Sequence, residues 1–295
     1  MTVRPGSAVP GPPPLPDVFF ARDYPRSEVA ARVRDGTWEP VSRGAYAAAD
    51  SVHDPRDRAL ARIVAVHRRT GTAHWFSHES AAVLWGLPVW RHPPTTHLRQ
   101  LVAPGRQGRD PSVERHRGAV PHEHRTTVGG LPVTSLALTA LDCARSLPPL
   151  DALVVADGAL RAGAGDDEVA ALLAVRGRRA RAAEQVLAQA DPGAESAPET
   201  AVRYHLVAGG LPVPQTQVPV ATHRGTYWVD LGYPHLRVAV EYDGRQKYDR
   251  DGWFREKQRL DAIVEAGWRV VRVTAEDLHN SFRLVARVRQ VLAAA

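Results

Sequence analysis

The sequence predicts an α+β protein in two parts: a helix with a wing running into a helical connector, then a small mixed sheet flanked by helices. Three observations carry that expectation. Apolar residues recur at helical spacing through 55–69, 77–86 and the run of short segments from 135 to 190. Extended segments joined by short turns dominate 215–244 and return at 268–274. Between the two textures stands Asp191-Pro192-Gly193, punctuation strong enough to mark a boundary. With 295 residues the chain is long enough for two cores.

Taken in order, residues 1–16 hold six prolines and read as a disordered leader. Residues 17–190 follow as the first structured part. There PRSEVAARVRDG predicts a short helix capped by Ser27 and stopped at Gly36, and WEPVSRGAY predicts a hairpin turning at Gly44. Ser77 is the expected cap of the 77–86 helix, and HLRQLV and SVERHR read as strands. Helices at 135–147, 150–160, 166–175 and 178–190 form the connector.

Residues 191–295 read α-β-β-β-α-β-α. A helix begins near Glu199 and stops at Gly209-Gly210. QTQVPVA, TYWVDLG and LRVAVEYDG are the strands, DRDGWFREKQRLDAIVEAG is a polar helix, WRVVRVT a strand, and the remaining residues a single closing helix.

Asp230 and Glu241 fall near the ends of successive strands, and Asp243 shares a face with Glu241 because side chains alternate. Glu199, on the preceding helix, is the candidate fourth acid. Clustered carboxylates repel, and a hard divalent cation makes such a cluster tolerable; Mg²⁺ is the expected ion and Mn²⁺ the alternative. Beside a phosphodiester, an ion on Asp230 and Glu241 implies hydrolysis. Arg245, Arg250, Arg255 and Arg259 are candidate phosphate contacts, and Lys247 is placed to stabilise charge on the scissile group. Trp228, two residues before Asp230, is placed to stack on a base.

The formal charge is +6, from 38 basic against 32 acidic residues, and all but two of the basic ones are Arg. Such a balance fits a polyanionic partner. No apolar run reaches the roughly 18 residues of a membrane helix. A lone Cys143 and the absence of an apolar signal core point to the cytoplasm. G-x-S-x-G, P-loop and G-x-G-x-x-G motifs are missing, against a serine hydrolase or a nucleotide-driven enzyme. His74, His78 and Glu79 lack the H-E-x-x-H order, and His116, His122 and His124 read as solvated loop histidines, so no zinc site is expected.

ESAPET, GLPVPQTQV, VDL, RVAVEYDG and AGWRVVRVTAEDL together give residues 195–279 a resemblance to the very-short-patch-repair-endonuclease-like members of the PD-(D/E)xK nuclease superfamily. That resemblance implies a restriction-endonuclease-like mixed sheet, with Asp230 and Glu241 as metal ligands and Glu199 as the helix-borne acid. Asp243 stands where the superfamily has lysine, and Lys247 where the subgroup commonly has histidine.

VRDGTWEPVSRGAY, SHESAAVLWGLP and GLPVTSLALTALD more loosely resemble AbiEi-like antitoxins, whose winged helix-turn-helix precedes an antitoxin-type domain. This second resemblance implies a degenerate winged helix at the N-terminus that reads DNA through Arg26, Arg32 and Arg34. Two functions stand open. One is a DNA-binding, divalent-metal-dependent endonuclease. The other is a non-catalytic transcriptional regulator, the antitoxin of a type IV toxin–antitoxin pair with a cognate toxin as partner.

Overall fold

A computed structural model describes residues 11–102, 110–175, 179–244 and 250–295, with only the backbone of Arg250 and Asp251. It is a mixed α/β protein in two compact units, one ending at Gln189 and the other beginning at Ala190. Among the described residues no helix is long and apolar enough to cross a membrane.

In the first unit, β1 (Val18–Phe20), β2 (Trp38–Ser42) and β3 (Ala45–Ala48) form an antiparallel sheet in the order β1-β3-β2. Between β1 and β2 lies α1 (Arg26–Arg34). Pro25, not Ser27, occupies its cap position, where a fixed φ starts a helix without an N–H to satisfy. The hairpin turns at Gly44, whose φ of +66° is open to glycine at no steric cost. Trp38 anchors it, its ring stacked on Phe19 with centroids 4.9 Å apart. Among the described residues the segment before α1 holds a strand and one short 3-10 turn, so DVFFARDYP does not form the first helix of a helix-turn-helix.

The next helix, α2 (Pro55–Arg69), is capped by Asp54, which accepts from the N–H groups of Arg56 and Asp57 at 2.7 and 2.9 Å. Its buried face carries Leu60, Ile63 and Val64 into a core shared with Phe76, Leu84 and Leu98.

Between α2 and the helical run that begins near residue 135, the described residues hold three strands besides the two read from HLRQLV and SVERHR. β4 (Trp75–Phe76), β5 (Thr96–Gln100), β6 (Val113–Arg117), β7 (Arg125–Val128) and β8 (Leu131–Thr134) form a five-stranded mixed sheet ordered β6-β5-β4-β8-β7. Against it pack α2 and α3 (His78–Trp85); α4 (Leu136–Ser146) packs on α3 and is covered in turn by α5 (Pro149–Arg161), α6 (Asp166–Ala174) and α7 (Ala180–Leu187). His116 therefore lies on β6, and His124 is buried against Ser135 and Glu168, so neither is a solvated loop residue.

In the second unit, α8 (Ala197–Ala208) leads to β9 (Gln215–Thr222), β10 (Gly225–Tyr233) and β11 (Val238–Tyr242). Then come α9 (Arg250–Glu265), β12 (Arg269–Val273), α10 (Ala275–His279) and α11 (Ser281–Ala293). The sheet runs β12-β11-β10-β9, with β11 and β12 parallel and the other pairs antiparallel. One face buries Leu206 of α8 and Leu284 and Val288 of α11 against Leu231, Val240 and Val273. The other buries Ile263 of α9 against Val218, Val229 and Ala239. The closing helix is two helices, because the Asn280 side chain accepts from the Arg283 N–H and starts a new one.

Candidate functional site

The C-terminal end of β11 and the stretch of antiparallel β10 beside it frame a cleft of about 440 Å³ whose walls include Trp228, Asp230, Glu241, Asp243, Glu256 and Arg259, so Asp230 lies within its strand and not at the end where the sequence puts it. Strict alternation along β10 would put Val229 and Leu231 on one side. They pack instead into the two opposite cores, so the strand changes side at Asp230. Gln217, opposite Asp230 in the β9 register, carries the irregularity with a φ of +47°.

Asp230 Oδ2 accepts a hydrogen bond from the Tyr242 N–H at 2.9 Å. Burial, and then the neighbouring Glu199 and Glu241, push its carboxyl up to about 8, against the opposing pull of that N–H and of Arg259. Glu199 is held at the start of α8: its Oε1 accepts from Ser196 Oγ and its Oε2 from the Glu195 N–H, both at 2.8 Å. Glu241 is only 5% exposed. Asp243 is paired with Arg272 at the rim.

Arg259 differs from its expected role as a phosphate contact. Its Nη1 and Nη2 donate to Glu241 Oε1 and Oε2 at 2.8 and 2.7 Å, while Nε and Nη2 donate to Glu256 at 3.0 and 2.8 Å. Burial alone would ease the proton off this guanidinium, but Glu256 and Glu241 raise its pKa instead.

Asp230, Glu241 and Asp243 thus come together as the strand spacing implied, with Glu199 near enough to act on Asp230. Their carboxylate oxygens are of the donor type a hard divalent cation takes, and Glu241 already has Arg259 as its counter-charge. Arg245 and Lys247 lie outside the described residues, Arg250 is described only in its backbone, and Arg255 is exposed on α9. In the first unit Arg26, Arg32 and Arg34 are all exposed on α1, with Arg32 3.4 Å from Glu28 and 5.6 Å from the Trp38 ring.

Sequence reasoning missed His97 altogether and set His78 and His116 aside. Their rings cluster only because β5 and β6 pair in parallel beside the start of α3, a long-range register that no local spacing encodes.

No protein-family model matches the chain. Two uncharacterized proteins of Mycobacterium tuberculosis, MT2308 and Rv2248, are each 31% identical to it over 277 residues, covering 90% of the chain and 97% of each relative. Among solved structures, the crystal structure of the RV2827C protein from Mycobacterium tuberculosis shares 18% identity, covering 59% of this chain and 72% of its own, with a TM-score of 0.39.

Proposed function

The chain belongs to the family of the Mycobacterium tuberculosis proteins MT2308 and Rv2248, and from the residues it brings together we propose a DNA-binding protein whose C-terminal unit hydrolyses DNA phosphodiester bonds with Mg²⁺ or Mn²⁺. The observation that carries this reading is the joint placement of Asp230, Glu241 and Asp243 on one cleft, where β11 ends beside the middle of β10. In this reading the second unit is a PD-(D/E)xK-type sheet and the first a degenerate winged helix that adds affinity for DNA through α1.

Asp230 and Glu241 would hold the ion. When bound, it supplies a Lewis acid and an activated water. The chain's own groups do the rest. Trp228 offers a ring beside the acids on which a base can stack. Arg255, exposed on α9, takes a phosphate. Arg259 must leave at least one oxygen of Glu241 for that acid to serve as a ligand, so Glu256 is the second carboxylate on which its charge can rest.

Incubation of the full chain with Mg²⁺ or Mn²⁺ and plasmid, mismatched or single-stranded DNA tests the proposal. Nicking that disappears in Asp230→Asn, with the fold intact, supports it. Intact DNA on every substrate sinks it.

A second reading is favoured by the Arg259 fork itself, which satisfies Glu241 without any ion. It makes the protein a non-catalytic regulator, an antitoxin with a cognate toxin partner. A protein that retains promoter binding in Asp230→Asn and cuts nothing would fit that reading.

A further inference from the structure

Three histidines from three elements meet in the first unit. His78 opens α3, His97 lies on β5 and His116 on β6. One ligand nitrogen from each ring lies within 4.8 Å of the other two. The parallel register sets His97 beside Glu114 and Arg99 beside His116, so the two histidines stand diagonally on one face. His97 Nδ1 and His116 Nε2 are 3.1 Å apart, and the His78 and His116 rings stack with centroids 3.7 Å apart.

The backbone beneath the rings is tied down. The Ser77 N–H donates to the His97 carbonyl at 3.2 Å, and the His97 N–H donates to Ser80 Oγ at 2.8 Å, which locks the first turn of α3 to β5. His78 is buried and has a φ of +53°, an uncommon conformation that persists only where the surroundings over-determine it. Ser77, expected to cap α3, instead turns its hydroxyl onto His78 Nδ1 at 2.9 Å.

We propose that His78, His97 and His116 form a Zn²⁺ site with water in the fourth position. Around a tetrahedral zinc, ligand nitrogens at about 2.0–2.1 Å from the metal lie ~3.3 Å from one another, close to the separation already present between His97 and His116. The other nitrogens of His97 and His78 are occupied in the manner of outer partners that aim ligating rings. His97 Nε2 sits 3.1 Å from Thr95 Oγ1, 3.5 Å from Glu79 and 4.0 Å from Glu114. His78 Nδ1 faces Ser77 Oγ and, at 3.8 Å, Asp142. That leaves His97 Nδ1, His116 Nε2 and His78 Nε2 for the ion.

The electrostatics agree. Burial, reinforced by neighbouring imidazoles and Arg99, holds His78 and His116 down to about 2 and about 4, and burial also lowers His97, so all three offer neutral nitrogens. Glu79 and Glu114 stand beside His97 to balance a divalent charge, while Asp142 is taken up by Arg99. His116 is half-buried, which opens the site to solvent on one side.

The test is calorimetric titration of ZnCl₂ into metal-stripped full-length protein at neutral pH, with X-ray absorption on the zinc-loaded wild type. One tight equivalent that does not depend on Asp230 is expected, present in wild type and retained in Asp230→Asn, whose acid lies in the other unit. His116→Asn should weaken binding by more than the roughly 10–100-fold that loss of an outer partner costs, and Glu79→Gln by an amount within that range. The absorption spectrum, which needs no variant to fold, should show three imidazoles. No uptake by wild type, undiminished uptake by His116→Asn, loss in Asp230→Asn, or fewer than three imidazoles would each overturn the proposal.

Discussion

Arg259 closes a two-pronged fork on Glu241, one amino group on each carboxylate oxygen at 2.8 and 2.7 Å. The acid is almost wholly buried, and Asp230 and Glu199 lie close enough to raise one another's cost of ionisation. Arg259 is therefore the counter-charge of Glu241, as Arg272 is of Asp243, and its removal is the most direct probe of what the cluster is for.

Arg259→Met should cost about 3–5 kcal/mol of stability, because it strands a buried carboxylate beside two others. Millimolar Mg²⁺ should return part of that loss, and return more to the variant than to wild type, since ligand binding to the folded state alone is stabilising. Thermal unfolding with and without Mg²⁺ measures both. Equal metal response in the two proteins would mean that the acids hold no ion.

The fork also shows where the sequence stops being informative. Punctuation and period are local properties, and they delivered α8, the strands β9 to β11, α9 and β12 within a few residues. The approach of Arg259 to Glu241, 18 positions apart, depends on how α9 crosses the sheet, and nothing in the spacing encodes that. The same limit explains the first unit. β4 is two residues long and pairs in parallel with β8 through Phe76 and Val133, a match visible only after both have been placed. Without it, β4 and the β7–β8 hairpin go unread, and β5 and β6 are the strands of this sheet that the sequence shows. Ser77 shows a subtler failure: it stands at the cap position as expected, yet its hydroxyl is claimed by His78.

Gly158 lies inside α5, where replacement by Ala would ordinarily gain about 1 kcal/mol of helix propensity. Here a Cβ would sit 2.8 Å from Cγ of Pro88, and closer still to its Cδ, in a ring that cannot rotate away. Gly158→Ala should therefore destabilise the protein by about 1–3 kcal/mol, the cost of overpacking. Chemical denaturation decides the sign. A gain would mean that the 87–88 turn yields to α5 at little cost.

Asp277 ties the start of α10 to α11. Its Oδ2 accepts from the Thr274 N–H at 2.9 Å, and its Oδ1 lies 3.1 Å from Arg287 Nη1. Burial alone would raise its pKa, but the Thr274 N–H and Arg287 outweigh burial and lower it. A lowered folded value means stability that is fully present above the unfolded value of about 3.9 and lost as pH falls through the folded one. Asp277→Ala should cost about 1–2 kcal/mol at neutral pH, as other lost caps do. The gap to wild type should close as the pH is taken below the unfolded value. A gap that persists unchanged into acid would assign the loss to packing.

Arg26 and Arg34 stand exposed on α1, whereas Arg32 is drawn toward Glu28 and lies over the Trp38 ring. If α1 meets DNA through its phosphates, each contributing arginine adds about 0.9 to the slope of log affinity against log salt. Replacing Arg26 and Arg34 together with Ala should flatten that slope by about 1.8 on any DNA sequence, since phosphate contacts carry no base information. Arg32→Ala should flatten it less, and should instead cost roughly 0.5–1 kcal/mol of stability from the lost contact with Trp38. Salt titrations of DNA binding by the three proteins read this directly. An unchanged slope in the double variant would move the DNA-binding surface off α1.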